Sequence, residues 1–218
     1  MTEGFLTVGR RAAPFSVLLL GMLLQTVFSI PRLLHAQTSP TLQAKGSTTM
    51  REIATVETTL GSFDITLDRS ASPRTVENFL RLAQRGYYTG NPIFHVLTDS
   101  LVFFGDPTGT GGGGESMYGR TFPDELGTSG QPSYRRGSVA MAHGPARDSN
   151  TSILFVCVRD AGLPPVYTVF GRVSRGMETI DRIGSADVVA SDGARGGRPR
   201  NDIMITRITI CTQNGTRQ

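Results

Sequence analysis

Few residues in this 218-residue chain carry reactive side chains in a usable pattern. The three histidines (His35, His95 and His143) and the two cysteines (Cys157 and Cys211) are scattered and show no metal-ligand spacing. His95 reads as a histidine hydrogen-bonded inside the fold. Ser138, in Gly137-Ser138-Val139, lacks the G-x-S-x-G frame of a nucleophile elbow. Gly109-Thr-Gly-Gly-Gly-Gly114 formally satisfies G-x-G-x-x-G, which needs a strand before it and a helix opening on its last glycines. The next residues are Glu115-Ser-Met-Tyr-Gly119, a poor helix start that puts a carboxylate beside the supposed phosphate. No metal and no cofactor are therefore expected.

The elements that must position any site begin after the N-terminus. Arg10 and Arg11 precede an apolar run from Ala12 to Ile30, and Leu34-His35-Ala36 is a passable cleavage site. Residues 1–36 read as a signal peptide or a membrane anchor, so export, with possible membrane attachment through this segment, is expected. Residues 37–50 are polar and aperiodic, a linker, and 51–218 form one domain large enough for a sound core. The net charge is +4, and Arg10, Arg11 and Arg32 against Glu3 account for +2 of it. A processed domain near +2 is too weakly basic to imply a nucleic-acid partner, and none is expected. Export permits a disulfide, but each cysteine lies in an apolar strand-like segment, which favours two buried thiols. Asn150-Thr-Ser and Asn214-Gly-Thr are glycosylation sequons.

Ile53 to Thr59 and Ser62 to Leu67 alternate around Leu60-Gly61 and predict a β-hairpin. Ser72 as cap, Pro73 at the first position, Val76, Phe79, Leu80 and Ala83 on one face, and Gly86 at the end predict a helix. A shorter helix fits Ser174 to Ile183. The short apolar runs Ile93–Leu97, Leu101–Phe104, Gly137–Met141, Ile153–Val158, Thr168–Val173 and Ile203–Cys211 predict six more strands. The expected fold is mainly β: an eight-stranded antiparallel closed barrel capped by two α-helices. Asp192 to Asn201 reads as an exposed loop rich in Gly and Arg.

The long irregular stretch Asp106 to Glu125 resembles the long loop of the cyclophilins, the peptidyl-prolyl cis-trans isomerases. The similarity extends in order through Thr75-Val-Glu-Asn-Phe-Leu80, Gly86-Tyr-Tyr-Thr-Gly90, Phe94-His95, Ser138-Val-Ala-Met-Ala142 and Val169-Phe-Gly-Arg-Val-Ser-Arg-Gly-Met177. The resemblance implies a cyclophilin-like domain that binds proline-containing peptides or unfolded segments, as a monomer, without a cofactor. Rotation about an X-Pro bond faces a barrier near ~20 kcal/mol, because the nitrogen shares its lone pair with the carbonyl. A donor aimed at the nitrogen stabilises the twisted state more than the planar one, and only that difference speeds the reaction.

In the family an arginine directly after Phe-His supplies that donor. Here Val96 follows His95 and the spacing to Gly105-Asp106 is one residue short, so the arginine reads as deleted. The two family glutamines correspond to Phe103 and Ile153, the pocket phenylalanine to Ser100, and a tryptophan that contacts cyclosporin to Gly162. The resemblance makes Leu101, Phe103, Ala142, His143, Ile153, Phe155, Leu163 and Tyr167 the substrate-binding set, with no catalytic residue assigned. Arg147 and Arg159 are candidate substitute donors. The expected function is an exported isomerase of reduced activity that assists protein folding. The alternative is a silent module that holds proline peptides without rotating them. Tyr87 and Tyr88 read as packing.

Overall fold

The computed structural model describes residues 49–127, 133–190 and 196–215. Residues 1–36, expected to be a signal peptide or anchor, and residues 37–48 of the expected linker lie outside the described residues. Among those described, no helix is long and apolar enough to cross a membrane.

Strands β1 (Thr49–Thr58) and β2 (Gly61–Leu67) form the expected hairpin, and β1 takes in Thr49 and Met50 from the supposed linker. Alternation drives it: Ala54 and Val56 of β1 and Phe63, Ile65 and Leu67 of β2 all point into the core. Helix α1 (Pro73–Gln84) buries Val76, Phe79, Leu80 and Ala83, the face read from the sequence. Gly86 follows it at φ +73°, with its amide bonded to the Ala83 carbonyl and that of Tyr87 to Leu82, a Schellman ending.

The cap at the other end is not Ser72. Its hydroxyl donates instead to the Val169 carbonyl at 2.9 Å. Glu125, fifty residues on, accepts from the amides of Arg74 (3.0 Å) and Thr75 (2.8 Å) and from the Thr75 hydroxyl (2.8 Å). A carboxylate there answers both the orphan amides and the positive helix end. Glu125→Ala should therefore cost about 1–2 kcal/mol by urea denaturation, although nothing near it in sequence marks it as a cap.

The chain continues through β3 (His95–Leu97), β4 (Leu101–Phe104), β5 (Ser138–Met141), β6 (Leu154–Cys157), β7 (Val169–Arg175), α2 (Met177–Gly184), β8 (Val188–Ala190), β9 (Gly196–Pro199) and β10 (Ile205–Gly215). All ladders are antiparallel, in the order β10-β1-β2-β7-β5-β6-β4-β3-β9-β8. The class is the expected one, mainly β with two helices, but the strands number ten rather than eight among the described residues.

The additional pair is β8 and β9. Gly196 to Pro199 falls inside the segment expected to be an exposed loop, yet Gly196, Gly197 and Pro199 are buried. β9 lies so close to β3 that a Cβ at Gly196 would strike the Val96 carbonyl. Glycine there serves close strand approach, which composition alone reads as loop.

β10 and β8 end the order without pairing to each other. The sheet meets itself elsewhere, at an isolated bridge between Pro92 and Met204. The Ile93 amide donates to Ile203 at 2.8 Å and the Ile205 amide to Asn91 at 2.9 Å, tying the approach to β3 to the start of β10.

Inside this wrap Phe79 packs on Tyr88 (ring centroids 5.3 Å) and Phe170 (5.5 Å), so Tyr88 is core, as expected. Helix α2 starts three residues later than expected, because β7 runs to Arg175 and Gly176 turns the chain at φ +76°. It seats Ile180 and Ile183 in the core. The two cysteines are both free, and only Cys157 is buried. Cys211 lies exposed on β10, which corrects the expectation of two buried thiols.

Candidate functional site

The loop after β4 is organised by one carboxylate. Asp106 is buried, and its oxygens accept from the amides of Thr108 (2.8 Å), Thr110 (3.1 Å), Gly111 (2.7 Å) and Gly113 (3.1 Å) and from the Thr108 hydroxyl (2.7 Å). Burial alone would raise its pKa. The Thr108, Gly113 and Gly111 hydrogen bonds outweigh that and hold it below the usual carboxylate range. The amides that a phosphate would need are thus turned on Asp106, which disposes of the formal G-x-G-x-x-G match. At Gly113 any Cβ would collide with that carboxylate. Tyr87 fastens the far side of the loop, its hydroxyl accepting from the Glu115 amide (3.2 Å) and the Ser152 hydroxyl (3.1 Å).

This loop forms one wall of a cavity of 570 Å³. Gly111, Gly112 and Gly113 line it on one side, Phe94, His95 and Phe103 on another, and Ala142, His143 and Ile153 opposite. Strand pairing explains the convergence. Phe103 of β4 lies between His95 of β3 and Phe155 of β6. The Ala142 amide donates to the Ile153 carbonyl at 2.9 Å.

Of the sequence-derived set, Phe103, Ala142, His143 and Ile153 line the cavity, and Leu163 lines a different depression with Tyr134 and Gly162. Leu101, Phe103, Ala142, Phe155, Leu163 and Tyr167 belong to a second apolar cluster, separate from the main core. His143 stacks on Tyr167 at 4.9 Å, and Ile153 lines the cavity. Their exposure differs, however. Phe155 is only 1 % exposed, covered by Phe103 (5.6 Å), Tyr167 (5.5 Å) and Tyr134 (6.1 Å). The apolar side chains lining the cavity are those of Phe94, Phe103, Ala142 and Ile153, and Phe155 supports Phe103 from behind.

His143 cannot offer its nitrogens to a ligand as it stands. Nδ1 lies 2.7 Å from the Gly144 carbonyl oxygen and Nε2 3.0 Å from that of Val166. Asp124 lies behind it, 3.5 Å from Nε2. Burial would raise the Asp124 pKa, but bonds from Arg147, Asn150 and the Asp148 amide hold it low. Arg147 is thereby committed, its Nε donating to Asp124 at 3.0 Å. Arg159 lines a different depression, with Asp99, Arg136 and Asp181. Neither arginine is among the described residues lining the cavity. Asn150 of the first sequon is fully buried, its amide donating to Phe122 and Asp124, so it is no acceptor in the folded chain.

The ladder also revises the account of the missing arginine. His95 pairs with Phe103, Val96 with Val102 and Leu97 with Leu101, without a bulge. Val96 is wholly in the core, while the cavity-facing place across from Phe103 holds His95. The shortfall of one residue leaves no gap in the strand: a different side chain stands beside the cavity. Nor is His95 an interior histidine. It is half-buried at the rim, and among the described residues its ring has no hydrogen-bond partner; burial alone lowers its pKa.

Tyr134 escaped the sequence reading altogether. It is 3 % exposed, and its hydroxyl accepts from the Tyr167 amide (3.0 Å) while facing the carbonyls of Pro164 (3.1 Å) and Tyr167 (3.2 Å). It thus pins the wall that carries Leu163 and Tyr167. These partners lie about thirty residues away, so no local pattern announces it. The Asp106 arrangement could have been found, since an aspartate followed by Thr and Gly is a signal for side-chain-to-backbone turns.

A wrapped antiparallel sheet with two helices, an aspartate-ordered glycine loop and an aromatic slot beside it defines the class of mainly β domain to which this chain belongs. A family model described as cyclophilin type peptidyl-prolyl cis-trans isomerase/CLD matches residues 53–210. A peptidyl-prolyl cis-trans isomerase of Arabidopsis thaliana is 38% identical over 157 residues, covering 72% of this chain and 92% of the relative. A peptidyl-prolyl cis-trans isomerase-like protein of Aspergillus niger is 36% identical over 163 residues, covering 73% and 94%. The crystal structure of a cyclophilin type isomerase from Cryptosporidium parvum superposes with a TM-score of 0.66 at 31% identity, over 75% of this chain and 99% of that one. The same isomerase was also solved in the presence of the dipeptide Ala-Pro, and this chain matches that structure with a TM-score of 0.65. The chain belongs to the cyclophilin-type peptidyl-prolyl cis-trans isomerase family.

Proposed function

We propose that this chain is an exported prolyl isomerase of reduced turnover, acting on proline-containing peptides or unfolded segments as a monomer. Export rests on the basic and apolar character of residues 1–36. The single observation carrying the catalytic reading is the cavity lining. Phe103, Ala142 and Ile153 offer apolar surface for a pyrrolidine ring, with no guanidinium among the described residues around them. A ring can bind there, but the amide meets fewer donors. Loss of one transition-state donor commonly costs ~10²–10³ in rate.

The test is a protease-coupled assay on an X-Pro peptide beside a relative that carries the arginine. Catalysis well below the relative's is expected, and equal turnover would refute the deficit. Gly162 is exposed with open space around it, so cyclosporin should bind only weakly, as measured by calorimetry.

The second reading is the silent module, favoured by the dry character of Phe103 and Ile153. Saturable shifts of the Tyr167 resonances with a proline peptide, without exchange catalysis, would select it.

A further inference from the structure

We propose that His95 is a catalytic residue of this chain: its imidazole N–H is the donor that meets the proline nitrogen as the peptide bond twists. The proposal rests on the isomerase reading above and deepens it.

Position comes first. His95 sits at the cavity rim across the ladder from Phe103, its ring 5.7 Å from that phenylalanine. Phe103 is part of the apolar surface on which a pyrrolidine ring would rest. His95, one strand over, stands at the edge of that surface.

Availability comes second. Apart from Thr151, each other polar side chain of the lining is committed. His143 has a carbonyl at each nitrogen, and the Ser149 hydroxyl donates to Ala146 at 2.6 Å. The Thr151 hydroxyl remains, a neutral donor on the wall of Ile153. His95 has no partner among the described residues, so donating to a substrate breaks no bond to any of them.

The chemistry needs nothing more. In the planar amide the nitrogen lone pair is delocalised and a poor acceptor. On twisting it localises, and an N–H aimed at it gains strength only then, which is the condition for acceleration. No bond to hydrogen need break, and the proton stays on His95.

Neutral imidazole has one N–H, imidazolium two, and the charged donor is the stronger. Burial lowers the His95 pKa, so the neutral form prevails at neutral pH. Phe94 and Phe103 carry no charge, and His143 is the other titratable group on the cavity wall. The neighbouring strand β9 carries Arg198, ion-paired with Asp202 at 2.8 Å. Turnover should accordingly rise as the pH falls below the ordinary histidine value of about 6.5.

The experiment measures kcat/KM for an Ala-Pro peptide by NMR exchange between pH 5 and 8, with peptide Kd from the same spectra. His95→Ala should lower kcat/KM by about 10- to 100-fold with Kd within twofold. His95→Gln, which keeps an N–H, should fall between and lose the pH dependence. Arg198→Gln, outside the cavity lining, should behave like the unmodified chain, and Thr151→Val should lower turnover less than His95→Ala. Unchanged turnover in His95→Ala, a larger loss in Thr151→Val, or an equal loss in Arg198→Gln overturns the role of His95 while leaving the isomerase reading intact. Peptide binding without catalysis by the unmodified chain overturns both in favour of the silent module. No binding at all removes the peptide reading itself.

Discussion

Replacing Asp106 by alanine is expected to lower stability by about 3 kcal/mol, a fall of roughly 6–12 °C in Tm for a domain of this size. The carboxylate gathers four amides and a hydroxyl from Thr108 to Gly113. Hydrogen bonds to an ionised acceptor are worth about 1.5–3 kcal/mol each when lost singly, but these share one acceptor and the loop is partly wetted, so they do not add. Asp106→Asn should cost nearly as much, since its NH₂ would face amides that need an acceptor.

The effect has a pH signature. The folded pKa of Asp106 is depressed, so the unfolded chain binds the proton more readily. Its stabilisation is complete above the unfolded value near ~3.9 and drains away as the pH falls through the lower folded value. The difference between parent and Asp106→Ala in urea titrations should hence be full at neutral pH and shrink in acid below about pH 4. A constant difference across that range would show that the carboxylate is not what orders the loop. Peptide affinity should fall with it, because Gly111 to Gly113 form a wall of the cavity.

Phe155→Ala should be the more damaging change, about 3–5 kcal/mol. The ring is almost fully enclosed between Phe103, Tyr134 and Tyr167, and removing it leaves a void that those rings can fill only by leaving their places. Phe155→Leu keeps most of the volume and should cost below about 1.5 kcal/mol. The pair separates support from contact. If Phe155 acts from behind, Phe155→Leu should bind a proline peptide within a few-fold of the parent, as measured by NMR titration. A large loss in Phe155→Leu without loss of Tm would mean that the ring itself touches the ligand.

Most of the scaffold was legible because its signals are local. The period of two in Ile53 to Leu67 made a hairpin, and Pro73, Val76, Phe79 and Gly86 marked a helix with both its ends. Errors arose where a distant partner overrode local chemistry. Ser72 looked like a cap, but Glu125 caps α1 and frees Ser72 to reach Val169. Gly196 looked like loop, yet β3 demands a residue without a side chain there.

Sequence alone determined that this chain wraps an antiparallel sheet around a core and that its glycine loop is not a nucleotide site by context. It could do so because periodicity, turn chemistry and family-like blocks are written in consecutive residues. Tertiary structure decided the rest: that Phe155 is covered, that His143 and Arg147 are already engaged, and that His95 rather than Val96 faces the cavity. Those facts depend on the register between β3 and β4 and on contacts across twenty to thirty residues or more, and a one-place shift in a strand exchanges the face that meets the ligand for the face that meets the core.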